Sequence, residues 1–225
     1  IDSTLIGILN FGDFGRHMHG EISEYRYVSS EPTWGNQYLW PCVEEVLSSS
    51  LDCRDRIIDV GCGNGTTAGM LSSIGFDVFG IDTSSSGIQV AKKAFPDIRF
   101  AERSAYSDLT EEFGLFDAVV CLEVIEHCYN PRLLASNIHA LLEPGGIAVV
   151  STPFHGYWKN LAIALSGKFD AHWSPLWDGG HIKFWSENTL RILLEETGFK
   201  AVEFRRVGRI PALAKSMIAV GRKPK

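Results

Sequence analysis

Three side chains with chemistry to offer crowd into six residues, Leu122-Glu123-Val124-Ile125-Glu126-His127. Glu123, Glu126 and His127 stand at i, i+3 and i+4, so on a helical turn they would share one face. Two carboxylates and an imidazole converging there could ligate Mg²⁺, Mn²⁺, Fe²⁺ or Zn²⁺. Such an ion would bind a hydroxyl and lower its pKa. Without an ion, the same residues would cap a turn and line a pocket. His127 would then serve as a general base, with Glu126 beside it.

A second constellation precedes it. Ile57-Ile58-Asp59-Val60-Gly61-Cys62-Gly63-Asn64-Gly65-Thr66 joins an apolar run to a helical one, with glycines at alternate positions. Such spacing lets the backbone turn sharply and approach a ligand closely. Thr66 stands where a dinucleotide fingerprint would have its third glycine, which weakens a pyrophosphate cradle. Asp59 is placed to meet an ammonium or to order the loop through water. Asp82 ends the next strand candidate, where a carboxylate can accept both hydroxyl hydrogens of a ribose. Asp82, Thr83 and Ser84 also precede a helix, so helix capping is the competing role for Asp82.

The elements that must position these residues follow an alternating rhythm. Strands are predicted at 56–60, 77–81, 98–101, 116–122 and 147–151, with helices at 66–74, 86–95 and 132–142 between them. The turn Glu143-Pro144-Gly145-Gly146 separates the last helix from the fifth strand. Ser186 opens another helix that Gly198 closes, and two strands follow near 201–207 and 217–221. This order predicts a doubly wound α/β sheet in a single domain over 1–225. Two segments break the rhythm. Residues 1–50 carry Tyr25, Tyr27, Trp34, Tyr38 and Trp40 before a helical stretch at 43–48, and are expected to form an N-terminal lid. Residues 154–185 hold four of the six tryptophans and are expected to cap an apolar or aromatic small molecule.

Bulk properties narrow the class. The chain has 225 residues, enough for one sizeable core, and 45% of them are hydrophobic. Its five cysteines lack any C-x-x-C pairing, which fits reduced thiols in a cytoplasmic protein. No basic-then-apolar leader and no apolar run of membrane-spanning length is present in this sequence. A formal net charge of −6 argues against a general nucleic-acid binder, although eight Lys or Arg and one acid follow Gly198. That basic end is expected to be a solvated hairpin and tail; an anion or membrane patch is the alternative.

Asp59 through Gly65, then Asp82, Phe116-Asp117-Ala118-Val119-Val120 and Leu142-Glu143-Pro144-Gly145-Gly146 together resemble class I S-adenosylmethionine-dependent methyltransferases. The resemblance runs from about Arg56 to Gly221 and implies a Rossmann-like, seven-stranded sheet with its last strand antiparallel. It implies a cofactor set of Asp59, Gly61, Cys62, Gly63 and Gly65 for the methionine part, with Asp82 and Thr83 at the ribose. Ser104 and Ala105 would flank the adenine, and Leu122 would lie beside the methionine part. The Glu-x-x-Glu-His pattern is similar to that of quinone-biosynthesis O-methyltransferases and of RNA 3′-terminal 2′-O-methyltransferases. In both, a later His precedes a Lys-Phe element. Gly179-Gly180-His181-Ile182-Lys183-Phe184 looks like that element, with different spacing, so His181 is a fourth metal-ligand candidate. In quinone methyltransferases the corresponding insert is implicated in peripheral membrane contact. The leading expectation is O-methylation of a small-molecule hydroxyl. The alternatives are a metal-assisted RNA 2′-O-methyltransferase, a nicotinamide-dependent oxidoreductase, which Thr66 disfavours, and a binding protein that has lost catalysis.

Overall fold

The computed structural model describes residues 27–32, 34–173, 175–177 and 179–225. Tyr25 and residues 1–26 of the expected lid lie outside them. Seven strands form one sheet: β1 (Arg56–Val60), β2 (Asp77–Asp82), β3 (Arg99–Glu102), β4 (Phe116–Leu122), β5 (Leu142–Pro153), β6 (Lys200–Val207) and β7 (Ser216–Arg222). Their order is β3-β2-β1-β4-β5-β7-β6. All pairings from β3 to β5 are parallel, and β7 runs antiparallel to both β5 and β6. The expected doubly wound sheet with an antiparallel last strand is what the chain forms.

Central strands need apolar residues on both sides because helices cover both faces. Ile57, Ile58 and Val60 on β1 and Val119, Val120 and Cys121 on β4 are accordingly buried. On one face pack α5 (Pro131–Leu141) and α8 (Glu187–Glu196), through Leu134, Ile138, Leu141, Leu190 and Leu194. The starts of both helices are specified locally. Asn130 accepts the Leu133 N–H at 3.1 Å ahead of Pro131, and Ser186 forms a capping box with Thr189. The other face carries α1 (Trp34–Ser48), α2 (Thr66–Ser73) and α3 (Ser85–Ala94). There Leu39, Val43 and Leu47, at helical spacing, meet Leu71 and Ile88. A short α4 (Thr110–Phe113) leads into β4, and α6 (Tyr157–Leu165) and α7 (Phe169–His172) lie in the insert.

Two expectations need correction. The N-terminal helix begins nine residues earlier than the expected 43, with Pro41 inside it, because the apolar stripe from Leu39 outweighs one missing backbone donor. The Glu143–Gly146 turn does not precede the fifth strand but is a bulge in it. Leu142 pairs with Phe116 and Ile147 with Ala118, and the residues between loop out around Gly145 at φ +88°.

The strand order reverses between β1 and β4, and a crevice opens at the carboxyl ends of strands at such a switch point. The glycine loop follows β1 and the acidic-histidine segment follows β4, so topology alone brings the two motifs together.

Candidate active site at the switch point

The loop after β1 turns through Gly61 at φ +80° and Gly63 at φ +52°. A side chain on Gly61 would overlap that of Val124, which locks the glycine loop against the segment after β4. Backbone N–H groups of Gly61 and Cys62 both donate to the Ile81 carbonyl, at 2.8 and 2.9 Å. Cys62 itself is buried, and its thiol is pushed well above the usual range by that burial. Helix α2 starts at Thr66, whose hydroxyl donates to the Asn64 side chain at 2.7 Å.

Asp82 lies at the end of β2 facing this loop. One of its oxygens accepts the Gly63 N–H at 2.8 Å and the other the Ser84 N–H at 2.7 Å. It does not cap α3, since Ser84 does that by accepting the Gly87 N–H. Burial raises the Asp82 pKa, and the N–H groups of Ser84, Gly63 and Thr83 oppose the rise. Asp59 is 2% exposed, and its Oδ2 has no hydrogen-bond partner among the described residues. Burial, with the Asp82 charge adding to it, pushes Asp59 up to about 7. A buried acid with an empty oxygen suits a cationic ligand group, which would restore its charge. Thr83 is exposed beside Asp82. Ser104 and Ala105 are half-buried just beyond β3, and Leu122 is half-buried at the end of β4.

The segment after β4 departs from the expected helical turn. Glu123 takes φ +55°, and only Ile125–His127 wind, as a single 3₁₀ turn. Glu123 thereby falls outside the cluster that Glu126 forms with His127 and His181, although its charge still reaches Glu126. Its carboxylate accepts from Ser151 Oγ at 2.8 Å and Ser216 Oγ at 3.2 Å, and the Tyr38 hydroxyl lies 3.2 Å from Ser216 Oγ. Burial raises Glu123 to about 7, against those two serines and the nearby Lys159 ammonium. A non-glycine residue held at positive φ at a strand exit is strained, which is common at functional sites.

Glu126, His127 and His181 do converge: one ligand atom from each lies within 4.8 Å of the others. Glu126 is 1% exposed and neither carboxylate oxygen has a hydrogen bond among the described residues. The Thr152 hydroxyl lies near enough to favour its charged form but misses hydrogen-bond geometry. Burial, then the Glu123 charge, pushes the Glu126 pKa well up. His181 Nε2 is 3.9 Å from Glu126 Oε1, and burial keeps His181 down to about 4, hence neutral at pH 7. His127 Nδ1 is 2.7 Å from the Gly179 carbonyl and 3.1 Å from that of Gly180. Carbonyls only accept, so Nδ1 carries a proton, and Nε2 is the ring nitrogen that those carbonyls leave unused.

The insert supplies the far wall. Phe154 and Trp185 pack into the core, whereas Trp173 stacks on Phe184 with centroids 4.3 Å apart. His155 Nδ1 lies 3.2 Å from the Asn160 side-chain oxygen, and its ring meets those of His172 and Phe184 edge-on. Burial holds both His155 and His172 down to about 4. Lys159 is buried, donates to the Lys215 carbonyl at 3.1 Å and is lowered to about 8 by its burial. Sequence reasoning missed Lys159, Tyr38, Ser151 and Ser216 as site residues. Ser151 and Ser216 carry a signal, since each sits at the site-facing end of a strand; Tyr38 lies on the part of α1 that precedes the expected helix at 43–48, and Lys159 on α6, which was not expected.

Residues 37–203 match the family model of a methyltransferase domain. The ubiquinone biosynthesis O-methyltransferase of Rickettsia canadensis is 31% identical over 178 residues, covering 77% of this chain and 74% of that protein. The enzyme of the same name from Rickettsia typhi is 30% identical over 152 residues, covering 67% of this chain; the chain spans 62% of its length. Among solved structures, magnesium protoporphyrin IX methyltransferase from Synechocystis with bound S-adenosylhomocysteine superposes with a TM-score of 0.63 at 18% identity, over 81% of this chain and 80% of that one. Phosphoethanolamine N-methyltransferase 2 of Haemonchus contortus, in complex with S-adenosylmethionine, also gives 0.63 at 18% identity, over 83% of this chain and 53% of that one. With the family model spanning most of the chain and the glycine loop hydrogen-bonded to Asp82 beside the switch point, the chain belongs to the S-adenosylmethionine-dependent methyltransferase family.

Proposed function

We propose that this protein transfers the methyl group of S-adenosylmethionine to an oxygen of a small acceptor held under the insert 154–185. The observation that carries the reading is that the Gly179 and Gly180 carbonyls engage His127 Nδ1 and leave Nε2 as its other ring nitrogen, at the same sheet edge as the glycine loop, which Val124 joins to the turn bearing His127. Asp59 would take the cofactor's ammonium and Asp82 its ribose. The acceptor oxygen attacks the methyl carbon, the carbon–sulfur bond breaks with its electron pair staying on sulfur, and the acceptor proton passes to His127. The names of the relatives, ubiquinone biosynthesis O-methyltransferases, favour oxygen over nitrogen or carbon. Incubating the protein with methyl-labelled S-adenosylmethionine and a panel of phenols and catechols tests this. Label is expected on oxygen; label confined to nitrogen or carbon of other acceptors would refute the oxygen assignment.

The unpartnered oxygens of Glu126 support a second reading, in which Glu126, His127 and His181 hold a divalent cation. Bound there, it would supply Lewis acidity to the acceptor hydroxyl. The donor set fits in kind, two imidazoles and a carboxylate, with Glu123 turned to Ser151 and Ser216.

The exposed Tyr157, Trp158, Leu165 and Leu176 on the insert would carry peripheral membrane contact. No helix among the described residues is long and apolar enough to cross a membrane. All five cysteines are unpaired, which suits a reducing cytoplasm.

A further inference from the structure

Residues 27–31 belong to no helix or strand, yet they are fastened to the glycine loop and to the start of α3. Asn64, inside the loop, donates through Nδ2 to the Ser29 carbonyl at 2.9 Å and to the Glu31 carbonyl at 3.3 Å. The Tyr27 N–H donates to Ser86 Oγ at 3.2 Å. Further along, Asn36 Nδ2 and Trp40 Nε1 both donate to Thr67 Oγ1 at 3.2 Å, pinning the start of α1 to α2. The Tyr27 ring occupies the room that two missing side chains leave. A Cβ on Gly87 would come within 2.9 Å of the ring, and one on Gly63 would run into the hydroxyl. Gly63 is the residue whose N–H holds Asp82. Tyr27 therefore stands at the Asp82 end of the pocket, on the outer side of the loop.

We propose that Tyr27 is a cofactor-contacting residue, forming the outer wall of the nucleoside pocket over the ribose, and that strap 27–31 must lift for cofactor and product to exchange. The proposal rests on the reading that the glycine loop and Asp82 bind S-adenosylmethionine. An aromatic face over a ribose excludes water from the carboxylate–hydroxyl hydrogen bonds and strengthens them. Because Asn64 belongs to the loop and grips the strap's backbone, the ligand-bound loop and the closed strap favour one another. Binding energy is then shared between loop and strap, and their joint release limits departure of the product.

S-adenosylhomocysteine is the probe. Against wild type, Tyr27→Ala is expected to weaken its Kd about tenfold, mostly through faster dissociation in stopped flow, while Tyr27→Phe keeps most of the affinity. In wild type, amides of 28–32 are expected to exchange with deuterium more slowly when the probe is saturating, a readout that needs no variant. Unchanged affinity and dissociation in Tyr27→Ala, with strap exchange indifferent to the probe, would overturn the proposal and leave the cofactor reading intact. A wild-type protein that binds no probe would overturn both.

Discussion

Replacing His127 with alanine is expected to lower kcat for oxygen methylation by about 10²–10⁴, the range over which a positioned general base acts. The affinity for S-adenosylhomocysteine is expected to stay within about twofold, since the imidazole is assigned to the acceptor proton and not to the donor. The Gly179 and Gly180 carbonyls fix a proton on Nδ1, so a proton that His127 takes from an acceptor goes to Nε2. Steady-state rates with a phenol that the wild type methylates would check it, and an unchanged kcat would remove His127 from the chemistry. His181→Ala separates the two roles open to His127. If His127 is a base, His181→Ala leaves most of kcat. If both hold a cation, the two variants fall together and added Mn²⁺ or Zn²⁺ binds only to wild type.

A second large effect comes from Asp59. Its folded-state pKa of about 7 exceeds the ordinary value of about 3.9 because the carboxyl is buried with an empty oxygen. For an acid raised in this way, the native state binds the proton more tightly than the unfolded state. Its contribution is therefore fully present below about pH 4 and is lost as pH rises through about 7. Three pH units correspond to about 4 kcal/mol in the ligand-free protein at pH 8. Asp59→Asn removes that penalty but places an amide N–H₂ where no acceptor waits, which costs about 1–3 kcal/mol. The net expectation is a gain of about 2 kcal/mol, or roughly 5 °C in Tm, at pH 8. At pH 4 the gain vanishes and the variant becomes the less stable protein. Thermal melts at the two pH values read the crossing directly. The same variant is expected to bind S-adenosylhomocysteine more weakly, because the amide cannot pair with an ammonium.

The parallel sheet could be read from the sequence because buried central strands leave a clear pattern: Ala118–Leu122 is a continuous apolar run and 57–60 is one broken only by Asp59, with helices between them. The glycine loop and Asp82 were legible for a similar reason, since their spacing is fixed by one βαβ unit. Glu123 was not. Its alignment with Glu126 and His127 assumed helical backbone, and a single residue at φ +55° turned its side chain toward Ser151 and Ser216. The glycine loop and Asp82 together favoured ligand binding over capping for Asp82. The hydrogen bond from Gly87 to Ser84 then shows that Ser84, not Asp82, caps α3. Tyr38 and Lys159 approach Glu123 from positions 85 residues before and 36 after it, on helices whose aromatic and proline content hid their periodicity. Local pattern carries the frame; the direction of each side chain at the site depends on contacts between distant segments.

The account stands on the pocket between the glycine loop and Asp82. Calorimetric titration of the intact protein with S-adenosylhomocysteine tests it most directly. One saturable site per chain, with measurable heat of binding, is the predicted result. A titration with no heat at several temperatures, repeated with S-adenosylmethionine and equally silent, would contradict it.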